Sequence, residues 1–312
     1  RKDLANYRPI TCLPTITKMV TLAIHRRMQK YLFGNIERPI LDCEQRGVRS
    51  SQGCKEAVLE NLASNLIKKK EKNDIVELYY DFQKAYDNVN HGFLEKLLEV
   101  YGFPPGIQML IIEMMTRWKI RLSYGAKKDV GQVRLQNGII QGDAFSPLLF
   151  VLMIDPLIKV LKTRLGDRVE VLYYMDDLKA SMVNIQTAQK VHDIVKRYAD
   201  SVGMIINNKK SAIQLNVETP LPQSLQDIPR MDEMTYKYLG FEMMKGEVDR
   251  ETMMVKLEER KRGKLEEPTK RVEVFETKNW IHFINQNVMS VVRFYSGPVK
   301  FTLGWLDRID KT

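Results

Sequence analysis

Hydrophobic residues along this chain recur at two different spacings, and the two spacings predict both helices and strands. Apolar positions three or four residues apart indicate amphipathic helices within residues 18–33 and 54–70. Short apolar or aromatic runs at residues 75–80 and 169–174 are typical of buried strands. An aspartate follows closely after each run. The pattern therefore predicts two strands whose ends both present carboxylates.

Turn and cap residues between these segments indicate the remaining elements. A hairpin is expected within residues 119–135, and Ser146 with its following proline is expected to cap and open a long apolar helix. Thr187 is expected to cap the next helix, and a short strand is expected at residues 236–241. Strands and helices alternate without the regular rhythm of a parallel βαβ sheet. The sequence therefore predicts an α+β fold built on an antiparallel sheet.

Chain length and charge indicate several subdomains and an anionic partner. A chain of 312 residues exceeds the usual size of one compact core, so we expect two or three subdomains. The composition changes after Asp249 to a strongly charged segment over residues 251–264, which predicts a small helical subdomain at the C-terminal end. The net charge of +10 suits a polyanion such as nucleic acid.

The remaining composition bears on the cellular compartment. No apolar run approaches the roughly 20 residues that span a bilayer, and the polar start does not resemble a signal peptide, so no membrane partner is expected. Cys12, Cys43 and Cys54 form neither a zinc-binding spacing nor a disulfide framework. We therefore expect a reducing compartment, either nuclear or cytoplasmic.

Three carboxylates are expected to converge at one end of the sheet. Asp81 follows the first strand, whereas Asp176 and Asp177 belong to a segment that reads as strand, tight turn and strand. Carboxylates this close either raise one another's pKa or recruit cations, and hard oxygen ligands favour Mg²⁺. A two-metal carboxylate site is the usual device for in-line phosphoryl displacement in polymerases and nucleases. Phosphoryl transfer is therefore the first functional hypothesis.

The order of short motifs along the chain narrows that hypothesis. The motifs are, in order, Asn6–Ile10, Gln45–Arg49, Asp81–Asp87, Gly138–Pro147, Tyr174–Asp177, Gly203 with Asn207 and Lys210, and Tyr238–Gly240. This series resembles reverse transcriptases, most of all those of non-LTR retrotransposons of the R2/R4 type, whose reading frame carries a restriction-like endonuclease. The resemblance covers nearly the whole chain. It implies an RNA-directed DNA polymerase with an RNA template, a DNA primer in an RNA–DNA hybrid, and dNTPs as partners.

The resemblance also implies a right-hand architecture and a set of metal ligands. Fingers are expected over residues 1–74, a palm over 75–248 with a fingers-associated insertion at about 105–140, and the beginning of a thumb over 249–312. The implied catalytic carboxylates are Asp81, Asp176 and Asp177. Asp81 and Asp176 would hold two Mg²⁺ ions, with Mn²⁺ as an alternative, Asp177 would complete the set of metal-binding carboxylates, and the Phe82 carbonyl would face a metal.

A nucleotide site is implied by residues from several motifs. Tyr86 would lie under the ribose and exclude a 2′-hydroxyl, so it would select dNTPs over rNTPs. Gln141 and Gly142 would line the pocket, since a glycine permits close backbone approach. Without the resemblance, Tyr86 reads as an ordinary core tyrosine, and the Gln141–Gly142 segment reads as a polar turn before a helix.

Cations and a primer-binding turn complete the implied site. Arg46 and Arg49 would reach the triphosphate from the fingers, and Lys210 would lie near the leaving pyrophosphate. Without the resemblance, the two arginines would be expected on a solvated loop, and the lysine would be an ordinary surface residue. The implied primer grip, which otherwise reads as a turn at the sheet edge, consists of Tyr238, Leu239 and Gly240.

Other functions remain open at this stage. The chain could be a nucleic-acid-binding module that keeps the fold without polymerising, although the intact Asp81, Asp176 and Asp177 oppose this. A group II intron maturase-like polymerase shares the palm motifs. An RNA-dependent RNA polymerase is disfavoured by Met175 before the aspartate pair and by the ribose gate at Tyr86.

Overall fold

The structure is a computed structural model. It describes residues 10–34, 40–49, 53–71, 74–124, 128–216, 219–231, 235–269 and 277–310. The motif residues Asn6–Pro9 lie outside the described residues. The helices within these ranges are α1 (Thr15–Phe33), α2 (Cys54–Lys70), α3 (His91–Val100), α4 (Pro105–Arg117), α5 (Ser146–Leu165), α6 (Ile185–Val202), α7 (Arg250–Thr269), α8 (Thr277–Ile284), α9 (Ser290–Tyr295) and α10 (Leu303–Asp310).

Strands within these ranges form one larger sheet and three small ones. They are β1 (Val76–Tyr80), β2 (Phe82–Gln83), β3 (Lys119–Tyr124), β4 (Lys128–Arg134), β5 (Val169–Tyr174), β6 (Asp177–Met182), β7 (Ile205–Ile206), β8 (Ala212–Leu215), β9 (Tyr236–Tyr238), β10 (Phe241–Met244) and β11 (Glu247–Val248). The larger sheet has the order β5-β6-β1-β8, and all of its pairs are antiparallel. The predicted α+β fold with an antiparallel sheet is confirmed.

Helix α5 forms the centre of the main core. Thirteen of its twenty residues are buried, so almost every face of the helix is covered by other elements. Fully burying one large apolar side chain contributes about 1.5–3 kcal/mol, and α5 carries eight consecutive buried positions from Leu148 to Asp155, followed by the partly buried Pro156 and the buried Leu157. Helix α6 packs beside α5 and also contacts β1 and β6. The sheet is therefore held from one side by these two helices.

The opposite face of the larger sheet carries polar and aromatic residues. Side chains alternate along β1, so Val76, Leu78 and Tyr80 join the main core, whereas Glu77 and Tyr79 point to the other face. Tyr79 belongs to a second apolar cluster with residues of β9, β10 and α7. The next residue with the same orientation as Tyr79 is Asp81. This face of the sheet is therefore the one on which the site is built.

Several predicted element boundaries agree with the structure, and some need correction. Helix α2 has the predicted bounds. Asn184 caps α6 by accepting a hydrogen bond from the Thr187 amide at 2.8 Å, so the expectation that Thr187 is the cap was wrong. Ser146 is the first residue of α5 and makes no cap. The single strand expected at residues 236–241 is a hairpin, because the chain turns at residues 239–240.

No helix within the described ranges is both long enough and apolar enough to cross a membrane.

Candidate active site

A two-residue turn carries two of the predicted carboxylates. Tyr174 pairs with Asp177 at the end of the β5–β6 hairpin, and Met175 and Asp176 form the turn between them. Met175 has a φ of 56°, a left-handed conformation that costs a non-glycine residue about 1–3 kcal/mol. Such strain persists where surrounding contacts hold it, and it is common at active sites. Contacts with the surrounding protein therefore hold the Met175–Asp176 turn in this conformation.

Strand register brings the third carboxylate to the same end of the sheet. Tyr80, the last residue of β1, pairs with Leu178, which directly follows Asp177 on β6. Asp81 follows Tyr80 and therefore lies beside the turn. Asn207 fixes its position, because the Asn207 Nδ2 donates to Asp81 Oδ2 at 2.9 Å and the Asn207 amide donates to the Asp81 carbonyl at 2.8 Å.

A cavity of about 990 Å³ opens in front of these carboxylates. Its lining includes two predicted metal-ligand carboxylates, Asp81 and Asp176, and Asp177 is not part of the lining. Other predicted site residues that line it are Phe82, Tyr86, Gln141, Gly142 and Lys210. The structure therefore brings together residues that are up to 129 positions apart in sequence, counting from Asp81 to Lys210.

The oxygen donors at this end of the sheet suit a divalent cation. Asp81 and Asp176 both face one open cavity, and the Phe82 residue that follows Asp81 lines it as well. Carboxylate and carbonyl oxygens are hard ligands of the kind that Mg²⁺ and Mn²⁺ prefer. The residues present therefore fit a divalent metal, which Asp81, Asp176 and the Phe82 carbonyl would hold.

A second acidic group is already neutralised by a lysine. Asp42, Cys43 and Glu44 have potential ligand atoms within 4.8 Å of one another. The Lys162 ammonium lies 3.1 Å from both Asp42 Oδ1 and Glu44 Oε1. An ion pair with Lys162 therefore accounts for this cluster.

Tyr86 forms an aromatic wall of the cavity. Its ring stacks on Phe150 of α5, with ring centroids 5.2 Å apart and planes at 9°. Burial, followed by the charge of Asp176, raises the pKa of Tyr86 to about 12. The phenol therefore stays neutral at physiological pH, and its ring is held rigidly against the core.

The loop that carries Gln141 and Gly142 is fixed by the first helix and by the segment that leads into it. Gly142 has a φ of 109°, and a Cβ at this position would lie 2.7 Å from the Thr11 carbonyl oxygen. The Thr11 amide donates to the Gln141 carbonyl at 2.9 Å, and Thr21 Oγ1 donates to Asp143 Oδ1 at 2.5 Å. The structure thus requires glycine at position 142 for a close backbone approach.

Two lysines that the sequence analysis did not assign to the site also line the cavity. Lys18 lies on α1 and Lys84 lies in the turn after β2, where it has a φ of 44°. Lys84 lies within the Asp81–Asp87 motif, so its place in that motif could have indicated that it lines the cavity. Lys18 carried no local signal, because only the contact of α1 with the Gly142 loop brings it to the cavity.

The two predicted fingers arginines do not line the cavity. Arg46 forms an ion pair with Glu60 of α2. Arg49 donates through Nε to the Gln45 carbonyl at 2.9 Å and through Nη2 to the Asp42 carbonyl at 2.9 Å, and its guanidinium lies over the Phe33 ring. In this structure both guanidinium groups bind other parts of the protein, so their contact with a triphosphate stays a prediction.

The predicted primer grip is the turn of the β9–β10 hairpin. Leu239 and Gly240 have φ values of 48° and 90°, as in a tight two-residue turn, and Tyr238 precedes them as a buried residue. The Tyr238 ring lies 5.4 Å from that of Tyr79, and the Tyr236 ring lies 4.7 Å from it. Burial and the negative charge of Asp177 raise the pKa values of Tyr236 and Tyr238. The hairpin therefore lies against Tyr79, near the predicted catalytic carboxylates and on the same face of the sheet.

Comparisons with known proteins identify the family of this chain. The family model described as "Reverse transcriptase (RNA-dependent DNA polymerase)" matches residues 1–243. A Pol polyprotein from the type-1 retrotransposable element R2 of Popillia japonica is 25% identical over 216 residues, covering 66% of this chain and 29% of the relative. The corresponding R2 polyprotein of Nasonia vitripennis is 25% identical over 259 residues, covering 76% and 24%. The chain thus spans less than a third of the length of these relatives.

Solved structures show the same fold. Telomerase of Candida tropicalis, in complex with a fragment of telomeric RNA, matches with a TM-score of 0.55 and 13% identity over 74% of this chain and 38% of that one. Telomerase of Candida albicans matches with a TM-score of 0.53 and 13% identity over 94% and 54%. The predicted right-hand fold is confirmed. The chain belongs to the reverse transcriptase family and is similar to the enzymes of R2-type non-LTR retrotransposons.

Proposed function

We propose that this chain extends a primer 3′-hydroxyl with dNTPs while it reads an RNA template, as one domain of a retrotransposon protein. The observation that supports this most strongly is the shared cavity. Asp81 and Asp176 face it from two strands, and Tyr86 and Gly142 form other parts of its wall. A cavity with acidic groups at one end and lysines elsewhere in its lining suits a metal-bound triphosphate.

The catalytic assignment follows from the positions of the carboxylates. Asp81 and Asp176 would hold two divalent ions, Mg²⁺ or Mn²⁺, with the Phe82 carbonyl as a further ligand and Asp177 completing the negative charge. The bound ions would lower the pKa of the primer hydroxyl and stabilise charge on the transferred phosphate and leaving pyrophosphate. Asn207 holds Asp81 by the two hydrogen bonds described above, which keeps this carboxylate aimed at the cavity.

Nucleotide selection is assigned to Tyr86, Gln141 and Gly142 in the cavity wall. The Tyr86 ring cannot retreat from a 2′-hydroxyl, because Phe150 is fully buried directly behind it. Gly142 and Gln141 would lie against the base and ribose. Steric exclusion by a rigid ring therefore supports a preference for dNTPs.

Phosphate binding is assigned first to the lysines that line the cavity. Lys18, Lys84 and Lys210 are all exposed there and would face the triphosphate. Arg46 and Arg49 would contribute only after their present contacts are exchanged for phosphate.

The wider assignment follows the family pattern. We assign fingers to residues 1–74, the palm to 75–248 and the beginning of a thumb to 249–312, with the RNA–DNA hybrid crossing the palm face. Tyr238, Leu239 and Gly240 would support the primer end. The free Cys12, Cys43 and Cys54 suit a reducing nuclear or cytoplasmic compartment.

The test is primer extension on an RNA template with Mg²⁺ and dNTPs, together with hybrid binding measured by fluorescence anisotropy. We expect extension by the wild type, loss of extension in Asp176→Ala, and no loss in Asp167→Ala, which removes an exposed carboxylate just before β5. Hybrid binding should persist in Asp176→Ala. A wild-type protein that binds the hybrid and never extends it would instead support the non-polymerising binding module.

A further inference from the structure

A segment of the N-terminal region forms an additional edge on the larger sheet. The Tyr173 amide donates to the Glu44 carbonyl at 3.0 Å, and the Arg46 amide donates to the Tyr173 carbonyl at 2.8 Å. Gln45 lies between these two bonds in a parallel bridge with Tyr173. Residues 44–47, which we call the edge segment, therefore run alongside β5 just before the Met175–Asp176 turn.

The side chain of Gln45 bonds the turn directly. Gln45 has no exposed surface, and its Oε1 accepts hydrogen bonds from the Met175 amide at 3.1 Å and from the Gly47 amide at 2.8 Å. Both neighbours are backbone donors, which sets the orientation of the amide group. The Gln45 Nε2 has no hydrogen-bond partner among the described residues. The oxygen is therefore the part of this side chain that the structure uses.

Close packing at Gly47 shows that the edge segment fits the turn tightly. A Cβ on Gly47 would lie 2.9 Å from the Met175 Sδ and 3.1 Å from the Met175 backbone nitrogen. The segment is anchored on its other side as well. The Asp42 amide donates to the buried Asp155 of α5 at 2.7 Å, so the chain leading into the segment is fixed to the core. The Met175–Asp176 turn therefore packs against a segment that is itself fixed to the core.

We propose that Gln45 is a positioning residue for the catalytic turn. Its oxygen holds the Met175 amide and so maintains the left-handed conformation of Met175, which aims the next residue, Asp176, at the cavity shared with Asp81. Without this acceptor the strained turn relaxes, and the Asp176 carboxylate moves away from the position in which both carboxylates bind one metal. This inference rests on the proposed metal-binding role of Asp176.

Two substitutions distinguish the hydrogen bond accepted by the Gln45 oxygen from the packing of the Gln45 side chain. Gln45→Met keeps the length of the side chain and removes the acceptor, whereas Gln45→Glu keeps an acceptor oxygen and replaces the unpartnered Nε2 with a second, ionisable oxygen. Gln29→Met is the matched control, because the Gln29 Nε2 supports the same region by donating to the Val48 carbonyl at 2.7 Å without contacting the turn.

Two readouts that do not depend on polymerisation test the proposal in the full chain. The first is hydrogen exchange of the Met175 amide. The second is Mn²⁺ binding measured by electron paramagnetic resonance, counting only the binding that Asp176→Ala abolishes. Loss of one hydrogen bond at a strained site predicts, for Gln45→Met, about tenfold faster exchange and about tenfold weaker Mn²⁺ binding. Gln45→Glu should retain the slow exchange, and Gln29→Met should change neither quantity.

Different results would overturn the positioning role of Gln45 and the proposed metal-binding role of Asp176. Unchanged Met175 exchange and Mn²⁺ affinity in a folded Gln45→Met would overturn the positioning role alone. Equal losses in Gln29→Met would overturn it too, since the effect would then belong to the whole loop. A wild-type protein without Asp176-dependent Mn²⁺ binding would refute the proposed metal site itself, and the inference with it.

Discussion

The buried ion pair between Glu77 and Lys179 offers a quantitative test of how the catalytic face of the sheet is built. The Lys179 Nζ lies 2.5 Å from Glu77 Oε1, and the two side chains are only 4% and 1% exposed. The Tyr79 hydroxyl donates to Glu77 Oε2 at 2.9 Å, and Lys179 also contacts Asn61 of α2. These residues connect β1, which ends just before Asp81, with β6, which begins at Asp177.

Solvent cannot screen a pair buried this deeply, so removing one partner leaves an uncompensated charge. We expect Lys179→Met and Glu77→Gln each to lower the free energy of unfolding, by about 3–5 kcal/mol for Lys179→Met, which strands the carboxylate. The double variant Glu77→Gln/Lys179→Met removes both charges, and replacing a buried pair by neutral groups of similar volume is often nearly neutral. We therefore expect it to cost less than about 2 kcal/mol, far below the sum of the single changes.

The assay is urea unfolding at pH 7, followed by far-ultraviolet circular dichroism, for the wild type and the three variants. A Lys179→Met cost below about 1 kcal/mol, or a double variant whose cost equals the sum, would refute the reasoning. Burial raises the pKa of Glu77, but the charge of Lys179 and the hydrogen bonds from Lys179 and Tyr79 together outweigh burial and hold that pKa below its ordinary value of 4.5. The Glu77 contribution is therefore present above pH 4.5 and is lost as the pH falls through the lowered pKa of the folded state.

Three further predictions concern the nucleotide site and the nucleic acid. Gly142→Ala should lower kcat/KM for dNTPs by about 5- to 100-fold, because the left-handed backbone and the Thr11 carbonyl oppose a Cβ; a change below twofold in steady-state extension would contradict this. Tyr86→Ala should raise rNTP use relative to dNTP use by at least about tenfold in single-nucleotide incorporation, and an unchanged ratio would reject the ribose gate. Hybrid affinity should fall steeply with salt, with a log–log slope of about −0.7 to −0.9 for each phosphate contacted; a flat titration would exclude binding through phosphates.

Local sequence patterns were sufficient for much of the fold. Apolar spacing located α2, and the aromatic runs before Asp81 and Asp176 located β1 and β5. Register then placed these carboxylates together, because an antiparallel pair with a two-residue turn leaves little freedom at its end. The shared turn of Asp176 and Asp177 could therefore be predicted from residues that are near one another in sequence, whereas Asp81, 95 positions before Asp176, joins them through the pairing of β1 with β6.

Contacts between distant segments could not be predicted in this way. Gln45 and Met175 are 130 residues apart, and nothing in the polar segment around Gln45 indicates that its oxygen meets the turn. Lys18 reaches the cavity only because α1 packs against the Gly142 loop. Residues 236–241 were compatible with both a strand and a turn at the sheet edge, because Gly240 favours a turn whereas a leucine such as Leu239 rarely adopts a left-handed conformation.

The central claim is that Asp81 and Asp176 hold the catalytic metal together, and metal-directed cleavage tests it most directly. Fe²⁺ replaces Mg²⁺ in the folded protein, ascorbate and peroxide generate hydroxyl radicals at the bound ion, and mass spectrometry locates the backbone cuts. The account predicts cuts close to Asp81 and to Asp176, both suppressed by excess Mg²⁺ and both lost in Asp176→Ala. Cuts confined to residues 42–44, or cuts near only one of the two aspartates, would contradict it.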